Sequence, residues 1–135
     1  LHLRPRRQRQ MCIRDREVDN LVVTAGKGYV ASRMKDASAT AMSHMAIGSG
    51  SSAAGASDTA LGSELGRVAL TSTNVSSAVV TYAATFAAGT GTGAVTEAAI
   101  LNASSGGTML CRTVFSVVNK GASDSMTVTW TVTVS

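Results

Sequence analysis

From Met42 onward the chain alternates apolar and polar positions with a period of two, the signature of half-buried β-strands. Met42 to Ile47 reads as a first strand, closed by Gly48-Ser49-Gly50. Ser51 to Thr59 is a run of small and polar residues that predicts a long loop, with Leu61 and Leu65 anchoring a short turn or helix against the core. Arg67 to Val75 is the next strand, joined through Ser76-Ser77 to Val79–Ala87 as a hairpin. In that second arm Val80, Tyr82, Ala84 and Phe86 share one face, and Val79, Thr81, Ala83 and Thr85 share the other. A glycine-threonine loop at 89–93 leads to a strand over Ala94–Leu101, a turn over Asn102–Gly107 and a strand over Thr108–Val118. After a Gly121–Asp124 turn the last strand is the clearest. Met126, Val128, Trp130, Val132 and Val134 alternate with Thr127, Thr129, Thr131 and Thr133, which predicts one buried and one wet face. Before Met42 the period differs: Thr24 can cap a helix running to about Lys35, with Tyr29, Val30 and Met34 on one face and a turn over Asp36–Thr40 after it. Gly26 and Gly28 weaken that helix. The predicted fold is mainly β, an antiparallel β-sandwich of about six strands with one short N-terminal helix.

Composition agrees with strands. Ala, Ser and Thr make up 54 of the 135 residues. Ser, Thr and Gly interrupt the alanines throughout, so the alanine content does not signal helices. Few side chains are large and apolar, which predicts a thin core that gains stability from neighbouring subunits.

Charge divides the chain in two. The formal net charge is +4, yet residues 1–16 hold six Arg and one Asp, while residues 17–135 hold six Lys+Arg against seven Asp+Glu and are near neutral at −1. On composition the first segment is a disordered basic arm. Its Met11-Cys12-Ile13-Arg14-Asp15-Arg16 resembles the conceptual translation of a sequencing adapter, a scar recurrent in metagenomic proteins, so 1–16 is read as non-native and 17–135 as a single β-sandwich domain. Nucleic acid is disfavoured as a partner on that reading. The sequence also shows no run of about 18 apolar residues and no signal-peptide pattern, so no membrane partner is expected.

Catalytic and ligand motifs are sparse. Gly48-Ser49-Gly50-Ser51-Ser52-Ala53 fits a permissive dinucleotide pattern but precedes no amphipathic helix, and around Lys27 the positions a phosphate-binding loop needs are held by Leu21 and Gly28. His44 is the one His after residue 16 and lies inside a strand, where a half-buried structural role is expected. Cys12 and Cys111 sit in different contexts, so neither a disulfide nor a zinc site is expected, and mid-strand Cys111 reads as an inert buried thiol. Asp36, Asp58, Glu64 and Asp124 are dispersed over loops, while Glu97 lies in a strand and is expected to pair with Arg67 or Arg112. Asn74-Val75-Ser76 and Asn102-Ala103-Ser104 match the glycosylation sequon, which matters only in a glycosylating pathway. No catalytic residue, no metal ligand and no cofactor site is assigned.

The succession Val22-Val23-Thr24-Ala25-Gly26-Lys27, Met42-Ser43-His44-Met45-Ala46-Ile47-Gly48-Ser49-Gly50, Asp58-Thr59-Ala60-Leu61-Gly62-Ser63-Glu64-Leu65, Thr96-Glu97-Ala98-Ala99-Ile100-Leu101 and Val128-Thr129-Trp130-Thr131-Val132 resembles a family of tailed-bacteriophage structural proteins, similar to the head domain of tail-collar and tail-fibre proteins. The likeness covers about residues 20–135. It implies a non-enzymatic virion component, assembled in the bacterial host cytoplasm, whose partners are other tail or baseplate proteins and copies of itself, a trimer among the options. Ala99 stands where the family usually has Gly and Leu101 where it has Phe, and no fibre shaft follows Ser135. The expectation is therefore a connecting or decorating part of the tail, fibre or collar region. The Thr face of the last strand and the loop at 48–59 are its candidate contact surfaces, although the Thr face could equally be merely wet. The alternative is a host-receptor or glycan-binding adhesin, which would need loop aromatics for stacking on sugars; after residue 16 the aromatics are Tyr29, Tyr82, Phe86, Phe115 and Trp130, all on predicted helix or strand positions. A small hydrolase would need a convergent polar site.

Overall fold

The computed structural model describes residues 2–9, 16, 17, 21–35 and 39–134. Strands are β1 (His2–Arg9), β2 (Arg16–Glu17), β3 (Leu21–Val22), β4 (His44–Gly48), β5 (Glu64–Ala69), β6 (Ser72–Ser76), β7 (Val79–Phe86), β8 (Gly93–Leu101), β9 (Met109–Lys120) and β10 (Met126–Thr133), with helix α1 (Thr24–Lys35) between β3 and β4. They form two five-stranded antiparallel sheets, in the orders β2-β1-β10-β7-β6 and β3-β9-β8-β4-β5. The protein is mainly β, with one short helix and two stacked antiparallel sheets, as the alternation predicts.

The inner faces of the two sheets meet in a core built from Met45, Ile47, Tyr82, Ala84, Phe86, Ile100, Val128 and Trp130, among others. In β10 burial alternates residue by residue, buried at Met126, Val128, Trp130 and Val132 and half-buried at the four threonines. Val134, expected on the same buried face, lies past the strand end and is exposed; its amide N–H donates to Ala78 O.

Arg67 to Val75 is not one strand. The chain changes sheets at Leu70-Thr71, because Leu70 N–H donates to Ser43 O in one sheet while Thr71 N–H donates to Ala83 O in the other. A strand that switches sheets makes a corner of the sandwich, and on the β5 side of this one Val68 and Leu70 pack on the core with Ala69 exposed between them. The 6–7 hairpin closes at Ser77-Ala78, and Ser77 takes a positive φ of 55°, the first-position requirement of a tight hairpin turn. Leu65, expected in a turn or short helix, belongs to β5, and Leu61 lies in the loop before it against a second cluster. At the far end Lys120 is buried, and its Nζ donates to Ala87 O at 2.9 Å and Asp124 O at 2.8 Å, tying the exit of β7 to the turn before β10.

Residues 2–9, expected to be unstructured, run antiparallel along β10 from His2 opposite Thr133 to Arg9 opposite Met126. Strand pairing is made by backbone groups, so an arm of almost any composition can fill an otherwise open strand edge. The remainder of the adapter-like segment, Cys12 included, lies outside the described residues apart from Arg16, as does most of the turn expected at 36–40.

Helix α1 begins one residue earlier than a Thr24 cap implies: Lys27 N–H donates to Val23 O, so Val23 takes the cap position and Thr24 is the first helical residue, while Tyr29 and Val30 pack on the main core. Met34, expected on the same face, is 82% exposed, because the helix is seated on the core through Gly26, Tyr29 and Val30 in its first two turns. Docking depends on Gly26: a Cβ there would run into the backbone of Leu110 in β9. In an exposed helix Gly→Ala stabilises by about 1 kcal/mol. Here the sign reverses, and Gly26→Ala is expected to lower the melting temperature and loosen the helix, read by thermal denaturation and by amide exchange at residues 24–35.

Candidate functional site

The second sheet is covered on both faces. On its outer side Ala46, Ala99, Leu101 and Met109 form a small cluster with Val23, against which Leu61 and Ala25 pack. Small side chains at the paired positions Ala46 and Ala99 allow another segment to approach closely. That segment is the serine- and glycine-rich stretch 49–63, tied to the start of the helix where Thr24 N–H donates to Ala56 O at 2.7 Å.

Glu97 holds this stretch down. It points from β8 to the outer side, fully buried, and accepts from the amide N–H groups of Gly50 (2.8 Å), Gly62 (2.9 Å) and Ser63 (2.8 Å), and from Arg112 through Nε (3.1 Å) and Nη2 (2.8 Å). Arg112, on the adjacent strand and itself buried, also donates Nη1 to Asp58 Oδ2 at 2.8 Å and Nη2 to Ser52 O at 3.1 Å. Asp58 Oδ2 in turn accepts from Gly55 N–H, and Thr96 Oγ1 donates to Gly50 O. At Gly50 a Cβ would sit 2.5 Å from the Glu97 carboxylate, so the backbone reaches the acid only because no side chain intervenes.

The electrostatics follow from this geometry. Burial alone raises the proton affinity of Glu97, but the N–H groups of Ser63, Gly62, Arg112 and Gly50 outweigh it and hold the carboxyl below its ordinary range. An acid with both oxygens engaged and its affinity lowered is suited to clamping a loop, not to exchanging protons near neutrality.

Of the two partners the sequence offers, Arg112 is the one that meets Glu97. Arg67 instead forks onto Glu64 (2.7 and 3.1 Å) and donates Nη1 to Ala103 O and Gly106 O, both at 2.9 Å, pinning the turn between β8 and β9. The link from Arg112 to Asp58 is not readable from spacing. A signal for the clamp is nonetheless present: a lone acid inside Val95-Thr96-Glu97-Ala98-Ala99-Ile100-Leu101 must find donors once that strand is buried.

The other polar candidates stay apart. His44 is half-buried at the start of β4, its Nδ1 2.7 Å from Ser43 Oγ, opposite Leu101 of β8; Glu97 pairs with Gly48 at the far end of the same strand, roughly 13 Å away at strand rise. Asn102 is absorbed in its turn, accepting from Thr108 N–H, whereas Asn74 is exposed on β6. Among the described residues no three His, Cys, Asp or Glu come together, and no helix is long and apolar enough to cross a membrane. Cys111 is fully buried, and burial pushes its thiol well above the ordinary range. In a Cys12→Ser background, thiol reagents are expected to modify Cys111 only on unfolding; stoichiometric labelling of the folded protein would contradict this.

Two surfaces remain. The stretch 49–63 is mostly exposed at its side chains while its backbone is anchored beneath. On the opposite side of the protein the outer face of the first sheet carries Thr127, Thr129, Thr131 and Thr133 opposite Thr85, Ala83, Thr81 and Val79, with Thr85 and Thr127 hydroxyls 3.1 Å apart. This face bears no charge along β7 and β10. The aromatic residues from position 21 on are withdrawn from both surfaces: Tyr82, Phe86, Phe115 and Trp130 are buried and Tyr29 is half-buried, with burial pushing the Tyr82 phenol up to about 12.

Compared with known proteins, the chain matches no family model, no curated protein and no solved structure.

Proposed function

We propose that the chain is a phage virion structural protein of the tail, fibre or collar region, acting by self-assembly and by contacts with other tail or baseplate proteins. The observation that carries the reading is the pairing of a buried clamp with two surfaces that hold no convergent polar site: Glu97 and Arg112 are spent on fixing the shape of the 49–63 stretch, and the Thr face carries no charge along β7 and β10, with Arg4 and Arg6 of β1 in register beside Thr131 and Thr129 at its margin. Surfaces of this kind pack against other proteins at modest desolvation cost. The ordered succession of short motifs over residues 20–135 supports the same assignment. Withdrawal of the aromatics from both surfaces disfavours the adhesin alternative, which needs exposed rings to stack on sugars.

Two observations test this. Reading frames adjoining the gene, sequenced with adapters trimmed, are expected to encode tail or baseplate components, and peptides from residues 21–134 are expected in purified virions by mass spectrometry. Particles lacking the peptides, or neighbours encoding unrelated enzymes, would overturn the reading.

A further inference from the structure

Sheet edges differ sharply in how they are protected. Edge strand β5 carries the Glu64–Arg67 ion pair and a register slip beside Gly48, β3 spans two residues, and β2 spans Arg16 and Glu17 alone. Charges, slips and shortness are the usual means by which an edge avoids pairing with another chain. Edge strand β6 has none of them. Its five residues Ser72-Thr73-Asn74-Val75-Ser76 are exposed throughout, pair with β7 without irregularity, and lie in a stretch from Val68 to Thr96 that contains neither a charged residue nor a proline. Val75 is 71% exposed, and among the described residues no strand lies along the outer edge of β6.

Which backbone groups face outward follows from the hairpin. Ser76 and Val79 flank its two-residue turn and form the closing hydrogen-bonded pair; pairs alternate from there, so Ser76, Asn74 and Ser72 point their N–H and C=O groups at β7, while Val75 and Thr73 point theirs away. We infer that β6 is a self-pairing edge, at which a second copy of this chain adds its own β6 antiparallel about a two-fold axis through Asn74.

The register is dictated by the outward groups. Thr73 of one copy and Val75 of the other exchange both backbone bonds, Asn74 faces Asn74 as the intervening non-hydrogen-bonded pair, and Ser72 faces Ser76. Each exposed valine gains a Thr73 neighbour, and the two Asn74 side chains lie side by side, able to bond amide to amide. The edge is its own complement. Its outward groups are centred on Asn74, so a second β6 offers a matching donor for every acceptor, and with no charged residue between Val68 and Thr96 two copies meet there without like-charge repulsion. A five-residue edge buries less than the roughly 1,000 Å² of a stable interface, so the contact is weak alone and gains strength where many copies are held together. The inference deepens the self-assembly part of the proposed function by naming its surface.

The test is disulfide trapping with the full chain in a Cys12→Ser background. Across the two-fold, Asn74 Cα atoms would lie about 4.5 Å apart, within the range a disulfide spans. Asn74→Cys is expected to form a covalent dimer under mild oxidation at least an order of magnitude faster than Ser105→Cys, an equally exposed turn position. Adding Val75→Pro removes one outward N–H that the fold itself does not use and is expected to return cross-linking to the control rate. Val75→Lys, which places like charges across the axis, is expected to do the same should the proline variant misfold by circular dichroism. Equal rates for Asn74→Cys and Ser105→Cys, or cross-linking unaffected by both Val75 variants, would overturn the inference. Virion mass spectrometry fails or succeeds independently of this, so chain found in particles without β6 cross-linking refutes the edge pairing alone.

Discussion

Glu97→Ala is expected to destabilise the fold by about 3–5 kcal/mol, the scale seen when one partner of a buried ion pair is removed. The loss has two sources. Arg112, already buried, keeps only Asp58 and the Ser52 carbonyl as partners, and the N–H groups of Gly50, Gly62 and Ser63 lose their shared acceptor. Against a typical total of about 5–15 kcal/mol, such a loss leaves a marginal protein. Glu97→Gln separates charge from shape: it keeps the volume, but its amide NH₂ confronts donors, so a substantial fraction of the penalty is expected to persist. Arg112→Ala should be comparably damaging because it strands the carboxylate. The Glu97→Ala, Arg112→Ala double variant is expected to lose less than the sum of the single losses, since the buried charge that each single variant strands is gone and only the partly exposed Asp58 loses an ion-pair partner. Denaturant unfolding of the four proteins reads all of this.

The same carboxylate gives the fold an acid limit. Its folded-state pKa lies below the ordinary 4.5. A depressed value means that the stabilisation is complete above the unfolded-state pKa and is lost as pH falls through the folded one. Wild-type stability is thus expected to decline on acidification below about pH 4.5, and the decline should be shallower in Glu97→Gln. Equal acid slopes in the two proteins would show that Glu97 does not govern the transition.

Trp130→Ala is expected to cost about 3–5 kcal/mol, the usual range for emptying a large aromatic site in a core. Trp130 has no exposed surface, lies mid-strand in β10, and pairs with Tyr82 of β7 on the inner face. Trp130→Phe should cost considerably less. The indole Nε1 is buried without a hydrogen-bond partner, the only such side-chain atom among the described residues, so phenylalanine removes an unsatisfied donor along with the volume it gives up. Circular dichroism must follow these transitions, because Trp130 is the protein's one tryptophan. A folded Trp130→Ala protein that had lost glycan binding would instead revive the adhesin reading.

Much of the sandwich is legible as alternation. β7 and β10 are buried on one side only, and their period of two survives into the burial pattern. Legibility fails where burial is two-sided. β4 and β8 have nearly every residue inside, so the sequence there distinguishes neither face, and nothing local announces that 49–63 lies across them instead of projecting into water. The corner at Leu70-Thr71 is invisible for a different reason: no glycine or proline marks it, because long-range bonds to Ser43 and Ala83 bend the chain. Similarly, Glu97 declares its need for donors, but the choice of Arg112 over Arg67 rests on sheet order, and three of its donors are backbone groups whose positions no residue type records.

The anchoring of 49–63 separates shape from surface chemistry. Apart from Asp58, Leu61 and the glycines at 50 and 62, the stretch is held through its main chain, by the amides of Gly50, Gly62 and Ser63 and the carbonyls of Ser52 and Ala56. The side chains of Ser51, Ser52, Ala53, Ser57, Thr59 and Ala60 point outward and support nothing beneath them. These positions can be rewritten while the backbone path stays fixed. Point substitution can therefore change the chemistry of this surface without changing its shape, because the clamp and not the exposed side chains fixes the path of the chain.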